Sequence, residues 1–383
     1  MIKSELHRVE IKWGAAYDSP AASIEFATKR APSIVSKMVT EYNAKKRAYE
    51  ATNTSFKKTG TIDISRLSSY LTSDDIFTSK SIVKSGKNHG VVLVIDWSSS
   101  MSDNVMAMAK QYLIVASFCK TVGIPFTVSL FTSITQHLKQ TLIANDSMSI
   151  GDVREVFYHM CAADLMRKSY YLSNIQLNFS NVYTAMLNGT FQMGGTPLMQ
   201  SAYTTYIDAY KMKRDRKLDN VTIMYITDGA GSTWTNNSDE VVTTVECPFT
   251  KRQYDCNMKN TIRCDRIMSS INRMTRDAGM KVFNLFIGTS EPRGAFARMD
   301  DRDTLYEYTM PRNEISPQIV EYPNLAYYNK VIYVHRNVFF DTKVDDAVTA
   351  KQFIKKTAKS NANVSLVGSM IVSEICKDFS VTK

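Results

Sequence analysis

Asp96, Ser98 and Ser100 stand in the pattern Asp-x-Ser-x-Ser, three oxygen-bearing side chains at alternate positions. Oxygen ligands of this kind bind hard divalent cations. Mg2+ suits them best, because it takes octahedral oxygen coordination and retains several waters; Mn2+ and Ca2+ are the alternatives. Two later stretches offer the same chemistry. Gly194-Gly195-Thr196-Pro197-Leu198 places a threonine hydroxyl at the tip of a glycine-rich turn, and Thr227-Asp228-Gly229 ends an apolar run on a carboxylate. Read singly, each has a plainer explanation. Asp and Ser before a helix are ordinary N-cap and Asx-turn residues, and so is a threonine in that place. Read together, they predict one ion held by Asp96, Ser98, Ser100, Thr196 and Asp228.

Such a site needs elements that bring distant residues to one edge. Val91 to Ile95 is a short apolar, mostly β-branched run with the character of a buried strand. The stretch from Asp103 to Lys120 follows it with apolar residues at Val105, Met108, Ala109, Tyr112, Val115, Ala116 and Cys119, a helical spacing. A second strand is expected from Ile124 to Phe131, an edge strand from Ile134 to Ile143, and helices from Val153 to Met166 and from Asn181 to Leu187. A helix opens at Pro197, which suits a first helical position, and runs to about Lys213. Val221 to Asp228 is another buried strand. After it, Gly231 to Lys259 is polar and irregular, long for a loop without a task. A helix from Ile262 to Ala278 stops at Gly279, and strands follow at Met280 to Ile287 and Val331 to Val334.

Strands alternating with helices predict an α/β fold: a doubly wound, mostly parallel sheet with helices on both faces, Rossmann-like. Ligands of such sheets sit outside the carboxyl ends of the strands, where Asp96 and Asp228 both fall. Around this core, residues 1–86 are expected to form a mainly helical segment. It includes a helix from Pro32 to Thr52 and a stretch docked through Leu67, Tyr70, Ile76 and Phe77. The core is expected over 87–340, with 231–259 as its insertion. Residues 341–383 are read as a helical extension, with helices at Val344 to Lys359 and Val364 to Phe379.

Composition narrows the function. The chain has 383 residues, room for one large α/β domain with extensions or for two or three domains. No apolar run of roughly 18 residues and no signal-like segment at Met1 to Pro20 is present, so a cytoplasmic location is expected. The net charge of +10 raises a nucleic-acid partner. Its densest group, Lys211, Lys213, Arg214, Arg216 and Lys217, falls at a helix end, where the dipole favours cations without any ligand. Cys247, Cys256 and Cys264 are spaced nine and eight apart, which fits no common zinc pattern, so free thiols are expected. No Gly-x-x-x-x-Gly-Lys-[Ser/Thr] occurs, so ATP hydrolysis would belong to a partner.

The five residues in this order resemble the metal-ion-dependent adhesion site of von Willebrand factor type A domains, over roughly Lys87 to Val334. That family usually has glycine between the two serines; here Ser99 stands there. Within the family the chain is similar to cobaltochelatase CobT-like proteins, including bacteriophage-encoded ones, through Thr59-Gly60-Thr61-Ile62-Asp63, Asp74-Asp75-Ile76-Phe77 and Lys87-Asn88-His89-Gly90. The resemblance implies a non-catalytic, Mg2+-dependent protein-interaction module. Its partner would supply a Glu or Asp to the metal, as an AAA+ ATPase of the MoxR or CobS type or that ATPase's target. The chain would then be an adaptor or the non-ATPase subunit of a chelatase-like complex, in host cytoplasm if phage-encoded. Two other readings stay open. One is a phage virion component using the same face. The other is a Mg2+-dependent phosphohydrolase, which usually needs a second acid two residues after its nucleophilic Asp; here that position is Ser98.

Overall fold

The computed structural model describes residues 26–52, 54–57, 64–72, 80–83, 88–134, 137–146, 152–159, 169–176, 185–187, 189, 191–228, 244–256, 263–288, 319–323, 328–335, 371–373 and 375. Two short strands, β1 (Thr54–Lys57) and β2 (Lys80–Val83), pair antiparallel with each other. The main sheet begins with β3 (His89–Asp96), every residue of which is buried. It continues through β4 (Phe126–Ile134), β5 (His137–Asn145), β6 (Asp152–His159), β7 (Ser169–Gln176) and β8 (Asn220–Thr227). A hairpin of β9 (Thr244–Glu246) and β10 (Gln253–Asp255) stands apart, and β11 (Lys281–Gly288), β12 (Ile319–Pro323) and β13 (Lys330–His335) complete the sheet.

The nine strands lie in the order β12-β13-β11-β8-β3-β4-β5-β6-β7. Six of them, from β12 to β4, form a mostly parallel sheet: β13, β11, β8, β3 and β4 run the same way and only β12 is reversed. From β4 outward the chain turns back on itself, and β5, β6 and β7 add as an antiparallel meander.

Because strand side chains alternate between faces, β3 feeds two cores. Val91, Leu93 and Ile95 enter one; Val92 and Val94 enter the other. The first core takes helices α1 (Ala31–Thr52) and α2 (Val105–Val122). Helix α2 is buried on nearly all sides, between sheet and α1. Val35, Met38 and Tyr42 form the buried stripe of α1, and the Tyr42 ring meets Phe118 edge-on, centroids 6.0 Å apart. Ile371, Val372 and Ile375 enter the same core. Helix α1 and the described residues 371, 372 and 375 thus share the hydrophobic core of the sheet. The second core takes α3 (Leu198–Asp215), α4 (Arg263–Asp277) and the β9–β10 hairpin.

Several expectations need correction. Val153 to Met166 is not a helix where it is described: Asp152–His159 is a strand paired on both sides. A short apolar run fits either period, and pairing with β5 decides it. The strand expected near Ile134 to Ile143 is not an edge, since β6 and β7 lie outside it. Leu67 and Tyr70 do not dock; they are 46% and 60% exposed. Ile76 and Phe77 lie outside the described residues. The 231–259 stretch is not irregular throughout, because its second half holds the β9–β10 hairpin. Pro197 precedes the helix, at its N-cap. The Val344 to Lys359 helix lies outside the described residues, and of the closing one only 371–373 and 375 are described, all helical. Strand β12 falls in a stretch whose sequence shows no clear period.

The basic end of α3 is used within the fold. Lys213 donates to the carbonyls of Ala278 and Gly279 at 2.9 and 2.8 Å, closing the carboxyl end of α4, and Arg216 pairs with Asp146. Among the described residues no helix is long and apolar enough to cross a membrane.

Candidate metal centre

β3 and β8 are neighbouring parallel strands in register from His89↔Asn220 to Ile95↔Ile226. That register carries Asp96 and Asp228 to the same carboxyl edge. After Asp96 the chain leaves the sheet through Trp97, whose indole is buried and donates to the Phe191 carbonyl at 2.9 Å. Ser98 and Ser100 follow, the latter within a 3-10 turn, Ser99–Asn104, that leads into α2.

Four of the five expected ligands form one hydrogen-bonded chain. The Ser98 amide donates to Asp96 Oδ1 at 2.9 Å, the Ser98 and Ser100 hydroxyls lie 2.9 Å apart, and Ser100 Oγ donates to Asp228 Oδ1 at 3.0 Å. The fifth, Thr196, is half-buried on a loop brought to the same edge. That loop is fastened through its glycines. Gly194 bridges Ser98 and accepts from the Ser99 amide at 2.8 Å, while Gly195 exchanges two backbone bonds with Ser133, 3.1 and 3.3 Å. Thr132 Oγ1 also donates to the Gly195 carbonyl, at 3.4 Å.

Three supporting residues escaped sequence reasoning. Thr227 Oγ1 donates to Asp96 Oδ2 at 2.9 Å, so each oxygen of this fully buried carboxylate has a donor. A polar residue ending an apolar strand was its signal. Thr132 and Ser133 hold the glycine loop, and nothing local in the sequence of β4 marks them for it.

Burial pushes the Asp96 carboxyl up to about 7, and the nearby charge of Asp228 adds to this; the bonds from Ser98 and Thr227 oppose it. Asp228 is raised as well, again by burial, against the bond from Ser100. Two carboxylates thus share a partly dry edge with hydroxyls, and among the described residues no basic side chain is hydrogen-bonded to either. All donors are oxygen, and ionised carboxylates out of water are the condition a hard cation relieves. The set fits Mg2+. It is poor in charge, for among the described residues no three of His, Cys, Asp or Glu gather as a metal site. Cys247 and Cys256 are buried free thiols.

A pH dependence follows. An unfolded aspartate titrates near 3.8, so between about 4 and 7 the folded chain keeps on Asp96 a proton that the unfolded chain releases. In metal-free protein this contribution to stability is complete below the lower value and is lost as pH rises through the upper one. Unfolding in EDTA at several pH values, for wild type and Asp96→Asn, should show a difference between the two that grows from pH 4 to 7 and then levels. Parallel profiles would contradict it.

No family model and no curated protein matches this chain. Among solved structures, a mutant of the PilB minor pilin from Streptococcus sanguinis aligns at 13% identity and TM-score 0.35, over 77% of this chain and 63% of that one. The pilus adhesin SpaC from Lactobacillus rhamnosus GG aligns at 14% and 0.33, over 78% and 32%. The human COPII-coat protein Sec24c aligns at 8% and 0.31, over 56% and 28%. The chain spans less than two thirds of each. Likenesses this distant bear on neither fold family nor function.

Proposed function

We propose that this chain is a doubly wound von Willebrand factor type A protein and acts as a non-catalytic, Mg2+-dependent docking module. The observation that carries the reading is the hydrogen-bonded chain Asp96, Ser98, Ser100, Asp228 at the carboxyl edge of adjacent parallel strands. Cores on both sheet faces support the doubly wound assignment.

Asp96, Ser98, Ser100, Thr196 and Asp228 would hold the ion. Bound there, Mg2+ would supply an open coordination position for a carboxylate oxygen. The protein's own part is to pre-set its donors. Thr227 and the Ser98 amide orient Asp96, and the hydroxyls of Ser98 and Ser100, the first donating to the second and the second to Asp228, need only turn to present lone pairs. With only two acidic side chains in the set, a Glu or Asp from a partner completes the balance of charge. By the CobT-like resemblance, that partner is an AAA+ ATPase of the MoxR or CobS type, or its target, in the cytoplasm.

Immobilised protein should therefore retain such an ATPase in Mg2+ and release it in EDTA, and Ser98→Ala should lower retention at least tenfold, about 1.4 kcal/mol. Retention in EDTA at undiminished yield would place the contact elsewhere.

A further inference from the structure

Asn284 is an amide in the middle of an apolar strand. It lies on β11, fully buried, between Val282 and Phe286, which belong to the second core; alternation puts Asn284 on that same face. Among the described residues neither its Oδ1 nor its Nδ2 meets a hydrogen-bonding group. Buried polar side chains are nearly always satisfied, and an amide with both ends orphaned is a costly exception that calls for a partner. The surroundings are not uniformly apolar. Asn284 is the register neighbour of Tyr225 on β8, and the buried Tyr328 packs edge-on against Tyr225 with centroids 6.4 Å apart. Two phenols therefore belong to the layer that holds the amide.

We infer that Asn284 anchors an internal hydration site in the second core, binding ordered water between β11 and the tyrosines of that layer. An amide offers two donors and two acceptors, enough to hold a water that also reaches a second polar group. Full burial limits the partner to a molecule as small as water. This site is separate from the metal centre: it uses none of the five ligand residues and stands whether or not they bind Mg2+. It does lie in the layer beneath them, since Tyr225 is two residues before Thr227, the donor to Asp96, on the same strand.

The test separates a hydrated amide from a dry one. Asn284→Leu keeps the number and branching of the side-chain heavy atoms and removes the polar ones, at the cost of some added bulk. If the amide is dry, the substitution removes an unsatisfied group and raises the melting temperature. If it holds water, the substitution strands that water, and the melting temperature should fall by about 2–4 °C, using the scale for domains of this order of size. A crystal structure of the unmodified protein, at a resolution that shows ordered solvent, should place water within hydrogen-bonding distance of Asn284 Oδ1 or Nδ2. Should the variant fail to fold, that map decides alone. No water density at the amide, or a rise in melting temperature in the variant, overturns the inference.

Discussion

Mg2+ added to the metal-free protein should raise its melting temperature, and Asp96→Ala should remove that response. An ion that binds only the folded state stabilises it by mass action, about 2.7 kcal/mol at a hundredfold excess over its dissociation constant. Asp96 is the ligand on which most depends, because it is the one carboxylate with no exposure and both its oxygens are already directed by donors. Its removal also distinguishes loss of the site from loss of the fold. The metal-free protein carries a buried acid whose charge burial and Asp228 oppose, so Asp96→Ala relieves that tension even as it leaves the Thr227 hydroxyl without its acceptor. A variant that melts cooperatively and ignores Mg2+ is the expected result. A variant that responds as wild type does would show that the ion, if bound, sits elsewhere. Calorimetric titration with Mg2+ gives the same comparison without heating.

Gly194→Ala should be the most damaging single-methyl change at this edge. A Cβ on Gly194 would stand 2.0 Å from the Ser133 carbonyl oxygen and 3.1 Å from Thr132 Oγ1. The nearer atom is backbone, fixed in β4 by the pairing of Ser133 with Leu138 of β5, so it cannot swing away as a side-chain tip could. The loop must lift instead. Lifting it breaks the bond from the Ser99 amide to the Gly194 carbonyl and the paired bonds between Gly195 and Ser133, and carries Thr196 with them. Overpacking of this kind costs about 1–3 kcal/mol. The variant should melt lower and bind Mg2+ at least tenfold more weakly, with Asp96, Ser98, Ser100 and Asp228 all unchanged. Wild-type stability and affinity together would show that the glycine loop does not position the site. The methyl matters for its place, since Gly194, unlike Gly123 and Gly279, has no positive φ.

Much of this edge is legible in the sequence. Val91 to Ile95 had the length and β-branched chemistry of a buried strand, and its abrupt end at Asp96 placed a carboxylate at a strand terminus. The same held for Val221 to Asp228, and the helical spacing after Asp103 supplied the covering element. These features are local: a period of two or of 3.6 residues is written in successive side chains and needs no partner to be read. The stop at Gly279, with φ 69° closing α4, is local in the same sense.

The tertiary structure decided what depends on partners distant in sequence. Residues 152–159 have apolar content that suits helix or strand, and only pairing with β5 and β7 made them a strand. Leu67 and Tyr70 have the composition of docking residues, yet they are exposed, because burial belongs to the surface opposite and not to the residue. The bond between Thr227 and Asp96 spans 131 residues, and the fastening of Gly195 to Ser133 spans 62. Both exist because parallel pairing sets β3 between β8 and β4 in one particular register. A slip of one residue would turn each side chain to the opposite face. The residue types able to hold a cation were thus determined by the sequence, and which hydroxyl meets which carboxylate was determined by the register of the sheet.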